Sequence, residues 1–205
     1  MRTHRRTRFL SMLMALLMLV TLMPTTAFAA EVETSTWEKV AFADITASDT
    51  VAITMTNRSG TWALPTAGNG GNGQPLAVTA AVNGTSLSID GSKAGFGWTV
   101  SANADGSYAI RNAAGESLYV IANNNGVRVG KTEAAWRLSE EQYLTANDTA
   151  ATPALRYIGV YNNTDWRCYT SINSNIKNQT LEFWKYTGSS SGEQEITIKI
   201  GRAHV

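Results

Sequence analysis

The feature that most constrains the fold is a succession of short alternating segments separated by turns rich in asparagine and glycine. Residues 51–55, VAITM, place Val51, Ile53 and Met55 on one face, which is the period of a half-buried β-strand. The Asn83-Gly84 pair lies between two such segments and predicts a tight hairpin. Turn signals recur about every 8–12 residues, and nothing after residue 29 has the period of a helix. The sequence therefore predicts an all-β domain, either a small closed barrel or an irregular sandwich.

A weak internal repeat refines this prediction. Three blocks of about 40 to 50 residues each contain an aromatic strand, a polar turn and a second strand that ends in a tryptophan motif. The block ends are Trp98-Thr99-Val100, Trp136-Arg137-Leu138 and Phe183-Trp184-Lys185. A single hairpin cannot bury its own apolar face, so three blocks are expected to converge on one axis. We therefore expect pseudo-threefold repeats, with Trp98 and Trp136 in the core.

Over residues 49–186 these blocks resemble the β-trefoil of ricin-type lectin modules. Ricin-type repeats carry glutamine two positions before the tryptophan. This chain instead has Phe96 before Trp98, and Glu133-Ala134-Ala135 before Trp136. The resemblance therefore implies a β-trefoil-like fold and does not extend to the lectin sugar site.

A second resemblance covers nearly the whole chain after residue 29. It depends on the motifs WEKV (37–40), NGVRVG (125–130), YIGVY (157–161) and DWRCY (165–169). These motifs resemble an uncharacterised accessory module of secreted multidomain proteins from gut Firmicutes and Bacteroidetes. Such modules stand beside hydrolase domains, such as nucleases or phosphoesterases, or beside Ig-like or anchoring segments. The resemblance implies an accessory role and no activity of the module itself.

The first 29 residues have the order of a secretory signal peptide. A basic stretch is followed by an apolar run and by the small-residue pattern Ala27-Phe28-Ala29. The apolar run is about 15 residues, whereas a membrane-spanning helix needs roughly 20, so a membrane anchor is disfavoured. We therefore expect a bacterial protein that is secreted to the extracellular space and has no membrane contact after cleavage.

The other end of the chain also differs from the β-rich region. Residues 200–205, IGRAHV, resemble a translated sequencing adapter, an ordinary frayed C-terminus being the alternative. We expect residues 30–190 to form the module and residues 191–199 to begin a linker or a further domain. The module is then expected to be monomeric and part of a longer chain.

Composition excludes several classes of function. Without the signal peptide, thirteen basic residues stand against sixteen acidic ones, and no basic face is clustered, so nucleic acid is not an expected partner. The one histidine beyond residue 29, His204, falls in the adapter-like end, which disfavours Ser-His-Asp catalysis. Cys168 is the sole cysteine, has no base beside it and fits a small buried position. We therefore predict no catalytic residue, no metal and no cofactor.

The segment from Arg156 to Trp184 holds the best candidate for a ligand site. Asp165, Trp166 and Arg167 offer an acceptor, an aromatic face and a planar donor, the groups that contact a sugar ring. The predicted auxiliary contacts are Asn124, Arg128, Asn173 and Asn175. The alternative is that Trp166 belongs to the core and that Asp165 and Arg167 form a structural ion pair. Exposure of Trp166 favours binding, and its burial favours a scaffold.

We therefore predict an exported non-catalytic β-module that binds carbohydrate or a cell-surface partner, such as a glycan or a surface polymer. One alternative is a scaffold or spacer in the N-terminal portion of a secreted hydrolase of the nuclease or phosphoesterase type. Another is a structural adhesion domain. On the binding interpretation, Trp166→Ala abolishes glycan retention without unfolding the domain.

Overall fold

The structure is a computed structural model that describes residues 32–192; the predicted signal peptide and the adapter-like end lie outside them. Within this range the chain is all-β, as predicted, and no helix is long and apolar enough to cross a membrane. One helical turn, α1 (Lys93–Phe96), and three 3₁₀ turns interrupt the strands. The strands are β1 (Val32–Val40), β2 (Val51–Asn57), β3 (Gly60–Ala63), β4 (Val78–Asn83), β5 (Ser86–Asp90), β6 (Trp98–Ala102), β7 (Tyr108–Asn112), β8 (Ser117–Ile121), β9 (Gly126–Gly130), β10 (Arg137–Leu138), β11 (Leu144–Asn147), β12 (Leu155–Tyr161), β13 (Asp165–Tyr169) and β14 (Thr180–Gly192).

Six strands close into an antiparallel barrel. Around the ring, β2 pairs with β3, β3 with β4, β4 with β5, β5 with β1, β1 with β14, and β14 with β2. Closure gives every strand of the ring two partners, so none is left as a free edge. The predicted Asn83-Gly84 hairpin joins β4 to β5. The prediction of an all-β fold with a small closed barrel is therefore confirmed.

Two tryptophans are the largest side chains in the barrel core, which also contains small residues and the side chains of Leu87, Ile89 and Phe96. Trp37 and Trp184 are fully buried, and Ala52 and Ala63 belong to the same core. Trp184 lies opposite Ala52 in the ladder, and its indole Nε1 donates to the Thr54 hydroxyl at 2.9 Å. Small side chains on β2 and β3 thus leave the interior volume that two indole rings occupy.

The other eight strands extend from β2 in the order β6, β7, β8, β9, β13, β12, β11 and β10. Tyr108 on β7 and Trp136, next to β10, exchange two backbone hydrogen bonds of 2.8 Å, which brings the far end of this ladder back to β7. A larger core lies among these strands and contains Trp98, Trp136 and Trp166. The predicted core positions of Trp98 and Trp136 are confirmed.

Strand β2 separates the two cores. Val51, Ile53 and Met55 face the larger core, and Ala52 faces the barrel interior. The strand is therefore buried on both faces, and the prediction of a half-buried strand is wrong. The residues on the barrel face are small. In the sequence, the alternation of large side chains therefore indicated only the face that packs in the larger core.

The helical turn α1 was not expected. The Ser92 hydroxyl accepts the Gly95 N–H at 3.2 Å, and Gly97 N–H donates to the Lys93 carbonyl at 2.8 Å. These bonds close a single turn that buries Phe96 in the barrel core. Four residues are too few to show a helical period in the sequence.

Gly159 on β12 lies against the loop that follows β13. A Cβ at this position would be 2.6 Å from Cγ2 of the fully buried Ile176 and 2.9 Å from Oε1 of Gln179. The Gln179 side chain is itself fixed, because it accepts the Val160 N–H at 2.9 Å and donates to the Val160 carbonyl at 2.6 Å. Neither neighbour has room to move.

We therefore expect Gly159→Ala to lower the free energy of unfolding by about 1 to 3 kcal/mol, measured by urea denaturation. Gly71→Ala is the matched control, because a Cβ there meets nothing within 4 Å. A Gly159→Ala variant as stable as Gly71→Ala would contradict this packing.

Asp49, just before β2, is linked to the closing strand of the barrel. Its Oδ1 lies 2.6 Å from Nζ of Lys185 on β14, and its Oδ2 accepts the backbone N–H of Thr46 at 2.9 Å. These hydrogen bonds, that of Lys185 first, lower the pKa of Asp49 to about 2.

Because the unfolded-state pKa is near 3.9, the stability that Asp49 contributes is present above about pH 4 and is lost as the pH falls toward 2. We expect Asp49→Asn to reduce the drop in the urea midpoint between about pH 5 and about pH 2.5. Equal drops in the variant and the wild type would show that Asp49 does not contribute to this acid sensitivity.

Candidate functional site

Trp166 lies in the larger core and not on the surface. On β13 it pairs with Val160, and both side chains are buried in the same core. Its indole Nε1 donates to the Ala63 carbonyl at 3.2 Å, and its backbone N–H donates to the Pro75 carbonyl at 2.9 Å. The ring is fully buried and has no open face. The prediction that Trp166 stacks on a sugar is therefore wrong, and the alternative of a core residue is confirmed.

Asp165 and Arg167 form the structural ion pair of that alternative, along one strand. Arg167 Nε lies 2.9 Å from Asp165 Oδ1, and Nη2 lies 3.0 Å from Oδ2, a bidentate contact that raises the pKa of Arg167. The guanidinium carbon is 4.4 Å from the centroid of the Tyr161 ring, in cation–π contact. Both carboxylate oxygens of Asp165 and two nitrogens of Arg167 therefore already have partners within the protein.

Arg128 on β9 is buried and does not face solvent. Its side chain is 8% exposed and folds over Gly126, where a Cβ would be 2.5 Å from Nη1. Nη1 donates to the Val127 carbonyl at 2.8 Å. Burial lowers the pKa of Arg128. Arg128, predicted as an auxiliary ligand contact, is therefore enclosed by the protein and not on an open surface.

The three predicted asparagines fall in two places. Asn124 is exposed in the turn before β9, and its carbonyl accepts Gln74 Nε2 at 3.0 Å. Asn173 and Asn175 lie in the loop after β13, where Asn173 Oδ1 accepts the Asn175 N–H at 3.0 Å. Of the three, Asn124 lies close to the place where β9 pairs with β13, near Arg167. Asn173 and Asn175 instead stabilise the turn of a separate loop.

An open groove of about 620 Å³ lies on another part of the eight-stranded ladder. Four segments line it: the turn before β7, the end of β8, the segment between β9 and β10, and the turn after β11. Its polar side chains include Asn103, Glu133, Asn147 and Asp148, and its aromatic side chain is Tyr119. None of these residues was predicted as a site residue.

Tyr119 is the tyrosine that packs in neither core. The chain has seven tyrosines, all within the described range. The other six are buried in a core or packed against one: Tyr108, Tyr143, Tyr157, Tyr161, Tyr169 and Tyr186. Tyr119 instead lines the groove, half-buried, with its ring beside Gly130, where a Cβ would be 3.5 Å from Cε1.

One acceptor of the groove, Asp148, is held in place before any ligand arrives. Asp148 accepts the Ala122 N–H at 2.6 Å and the Ala150 N–H at 3.0 Å. Glu133 lies 2.5 Å from Nη2 of Arg111 on β7. The groove therefore combines an aromatic ring with one fixed carboxylate, Asp148, and one exposed carboxylate, Glu133, and both carboxylates can accept hydroxyl donors.

Cys168 is a buried thiol, as predicted. Its single S–H lies within reach of two carbonyls, that of Ile121 at 3.3 Å from Sγ and that of Gly126 at 3.4 Å. Burial raises its pKa to about 11, against the opposing charges of Arg156 and Arg128, so the thiol is neutral at neutral pH. Within residues 32–192, no group of three or more histidine, cysteine, aspartate or glutamate side chains is arranged to hold a metal.

Tyr119 had a usable signal in the sequence. In Leu118-Tyr119-Val120 the two aliphatic side chains are buried, so alternation places Tyr119 on the opposite face. The partners of Tyr119 in the groove come from distant turns and carry no such signal.

The chain matches no protein-family model and no curated protein. A functional proposal for it therefore depends on the geometry of the site.

Proposed function

We propose that the chain is an exported, non-catalytic β-module of a larger extracellular protein and that it binds carbohydrate in the groove beside Tyr119. The observation that carries this proposal is the pairing of a tyrosine outside both cores with the carboxylates of Asp148 and Glu133. A sugar ring places its apolar face on an aromatic ring and directs its hydroxyls to such acceptors. The groove volume of about 620 Å³ falls in the usual range of small-ligand sites, roughly 300 to 1,000 Å³.

Preorganisation supports affinity at this position. Asp148 is held by two backbone N–H groups, whereas Glu133 is an exposed carboxylate that pairs with Arg111 at the surface. A ligand therefore orders few side chains when it binds, which lowers the entropic cost of binding. Tyr119 also has two χ angles only, so fixing its ring costs little conformational entropy.

A scaffold or spacer role is the second candidate function. It is favoured by the burial of Trp166 and by the mutual pairing of Asp165 with Arg167, which remove the most conspicuous predicted ligand contacts. In this role the module spaces or supports a neighbouring hydrolase domain. The trefoil-like threefold repeat and the similarity to accessory modules of gut bacteria stay predictions under either function.

Retention by polysaccharides tests the proposal. We expect affinity electrophoresis to retard the wild-type chain in at least one gel from a panel of neutral, acidic and amino polysaccharides. Tyr119→Ala is expected to weaken binding by at least about tenfold, or about 1.4 kcal/mol, in calorimetric titration with an oligosaccharide of the retained polymer. Because Tyr119 lies outside both cores, we expect the urea midpoint to stay near that of the wild type.

Arg167→Ala is the matched comparison, because it disrupts the originally predicted site and leaves the groove intact. We expect this variant to be retained like the wild type. Loss of retention in Arg167→Ala, together with normal retention of Tyr119→Ala, would refute the groove assignment. A wild-type chain that passes every gel unretarded would favour the scaffold role.

A further inference from the structure

Arg156 on β12 is a buried arginine without a partner in the part of the chain that the structure describes. Its side chain is 6% exposed, and its Nε is enclosed and makes no hydrogen bond there. The ion pairs formed within residues 32–192 use other lysines and arginines. A guanidinium carries five N–H donors and a permanent charge, so burial without a partner is strongly unfavourable.

The surroundings of Arg156 give it no ion-pair partner within the described range. Ala146 lies opposite Arg156 on β11 and is buried. The positive charge of Arg156 lowers the pKa of the Cys168 thiol, against the larger effect of burial. Asp148, just after β11, is the acidic side chain at this end of the hairpin. Its two oxygens accept the N–H groups of Ala122 and Ala150, and neither forms an ion pair with Arg156.

A second unpaired guanidinium lies in the same region. Arg128 makes one hydrogen bond, to the Val127 carbonyl, and no ion pair within the described range. Its charge also acts on the Cys168 thiol. Asp148 also acts on this thiol with the opposite sign, so two guanidinium charges against one carboxylate leave the region net positive, which favours an anion.

We propose that Arg156 is the anchor of an anion-binding site, which takes a small oxyanion or the phosphate, sulfate or carboxylate group of a larger ligand. The planar guanidinium matches two oxygens of such a group, and Arg128 adds long-range attraction. The bound anion supplies the partner that the protein does not. This inference depends on Arg156 and is independent of carbohydrate binding in the groove.

Thermal unfolding of the purified full chain tests the site. Midpoints are compared at equal ionic strength in sodium chloride and in about 10 mM phosphate, sulfate or acetate, a concentration low enough to limit general salt stabilisation. We expect at least one oxyanion to raise the wild-type midpoint by about 3 °C or more, with saturation. Arg156→Met, which keeps an unbranched side chain and removes the charge, is expected to show no such rise. In chloride alone it is expected to unfold at the wild-type temperature or above it.

The ligand source is distinguished by adding galacturonic acid, with galactose as its uncharged control. A rise with the acid sugar and not with inorganic anions assigns the site to an acidic saccharide, and a rise with inorganic anions assigns it to a free oxyanion.

If Arg156→Met does not fold, calorimetric titration of the stabilising anion into the wild type and Arg156→Lys tests the site instead. At least tenfold weaker binding to Arg156→Lys, which lacks the planar fork, supports the site, and unchanged affinity refutes it. Equal rises in the wild type and Arg156→Met, or no rise beyond chloride with any anion, would also overturn the proposal.

Discussion

Trp166→Ala is expected to lower the free energy of unfolding by about 3 to 5 kcal/mol. The indole is fully buried in the larger core, so its removal leaves a cavity that the surrounding strands fill only in part. The substitution also removes the hydrogen bond from Nε1 to the Ala63 carbonyl, which links β13 to β3 of the barrel. Both effects act on the same strand contact, and both destabilise the folded state.

Urea denaturation followed by circular dichroism measures this loss. Trp62→Ala serves as the comparison, because Trp62 is half-buried and its Nε1 makes only a long contact, 3.5 Å, with Asn57 Oδ1. We expect the smaller loss for Trp62→Ala. A Trp166→Ala variant that keeps its stability and loses glycan retention would restore the original prediction that Trp166 contacts a ligand.

Trp184→Ala is expected to be comparably damaging, by about 3 to 5 kcal/mol, in the smaller core. The barrel core is small, and its other large buried side chains, Trp37, Leu87, Ile89 and Phe96, refill the cavity only in part. The variant also removes the partner of the Thr54 hydroxyl, which is fully buried. An unsatisfied buried polar group adds to the cavity cost.

Trp184→Phe separates these two contributions. It keeps an aromatic ring in the barrel and loses the N–H donor, so we expect a loss of about 1 to 3 kcal/mol. Because β2 is buried between both cores, we also expect each tryptophan variant to unfold in a single transition. Two separate transitions would show that the barrel and the remaining strands fold independently.

Local pattern predicted the local features of this fold. Alternation identified β2, the Asn-Gly pair located the hairpin of β4 and β5, and alternation in β13 favoured burial of Cys168. The core positions of Trp98 and Trp136 were predicted from the ends of the repeat blocks. Which strands close the barrel could not be predicted from local patterns. It depends on the pairing of β14 with β1. The paired residues of these strands, such as Lys39 and Trp184, are more than 140 positions apart in the sequence, and no local period specifies such a partner.

The predicted site failed for a reason that the strand period itself contains. Asp165, Trp166 and Arg167 are consecutive in β13, and consecutive residues of a strand point to opposite faces. The ion pair therefore lies on one face, and the indole lies in the core behind it. Three neighbours in sequence were treated as one surface, whereas the structure allows only two of them to share a face.

The most direct test of the central claim is to locate the bound saccharide. Amide chemical shifts of the ¹⁵N-labelled chain are followed while the oligosaccharide of the retained polymer is added. The account predicts saturable changes at Tyr119, at Asp148 and at the amides of Ala122 and Ala150, which hold that carboxylate. Changes centred on residues 124–128 and 165–167, with the groove amides unmoved, would contradict it.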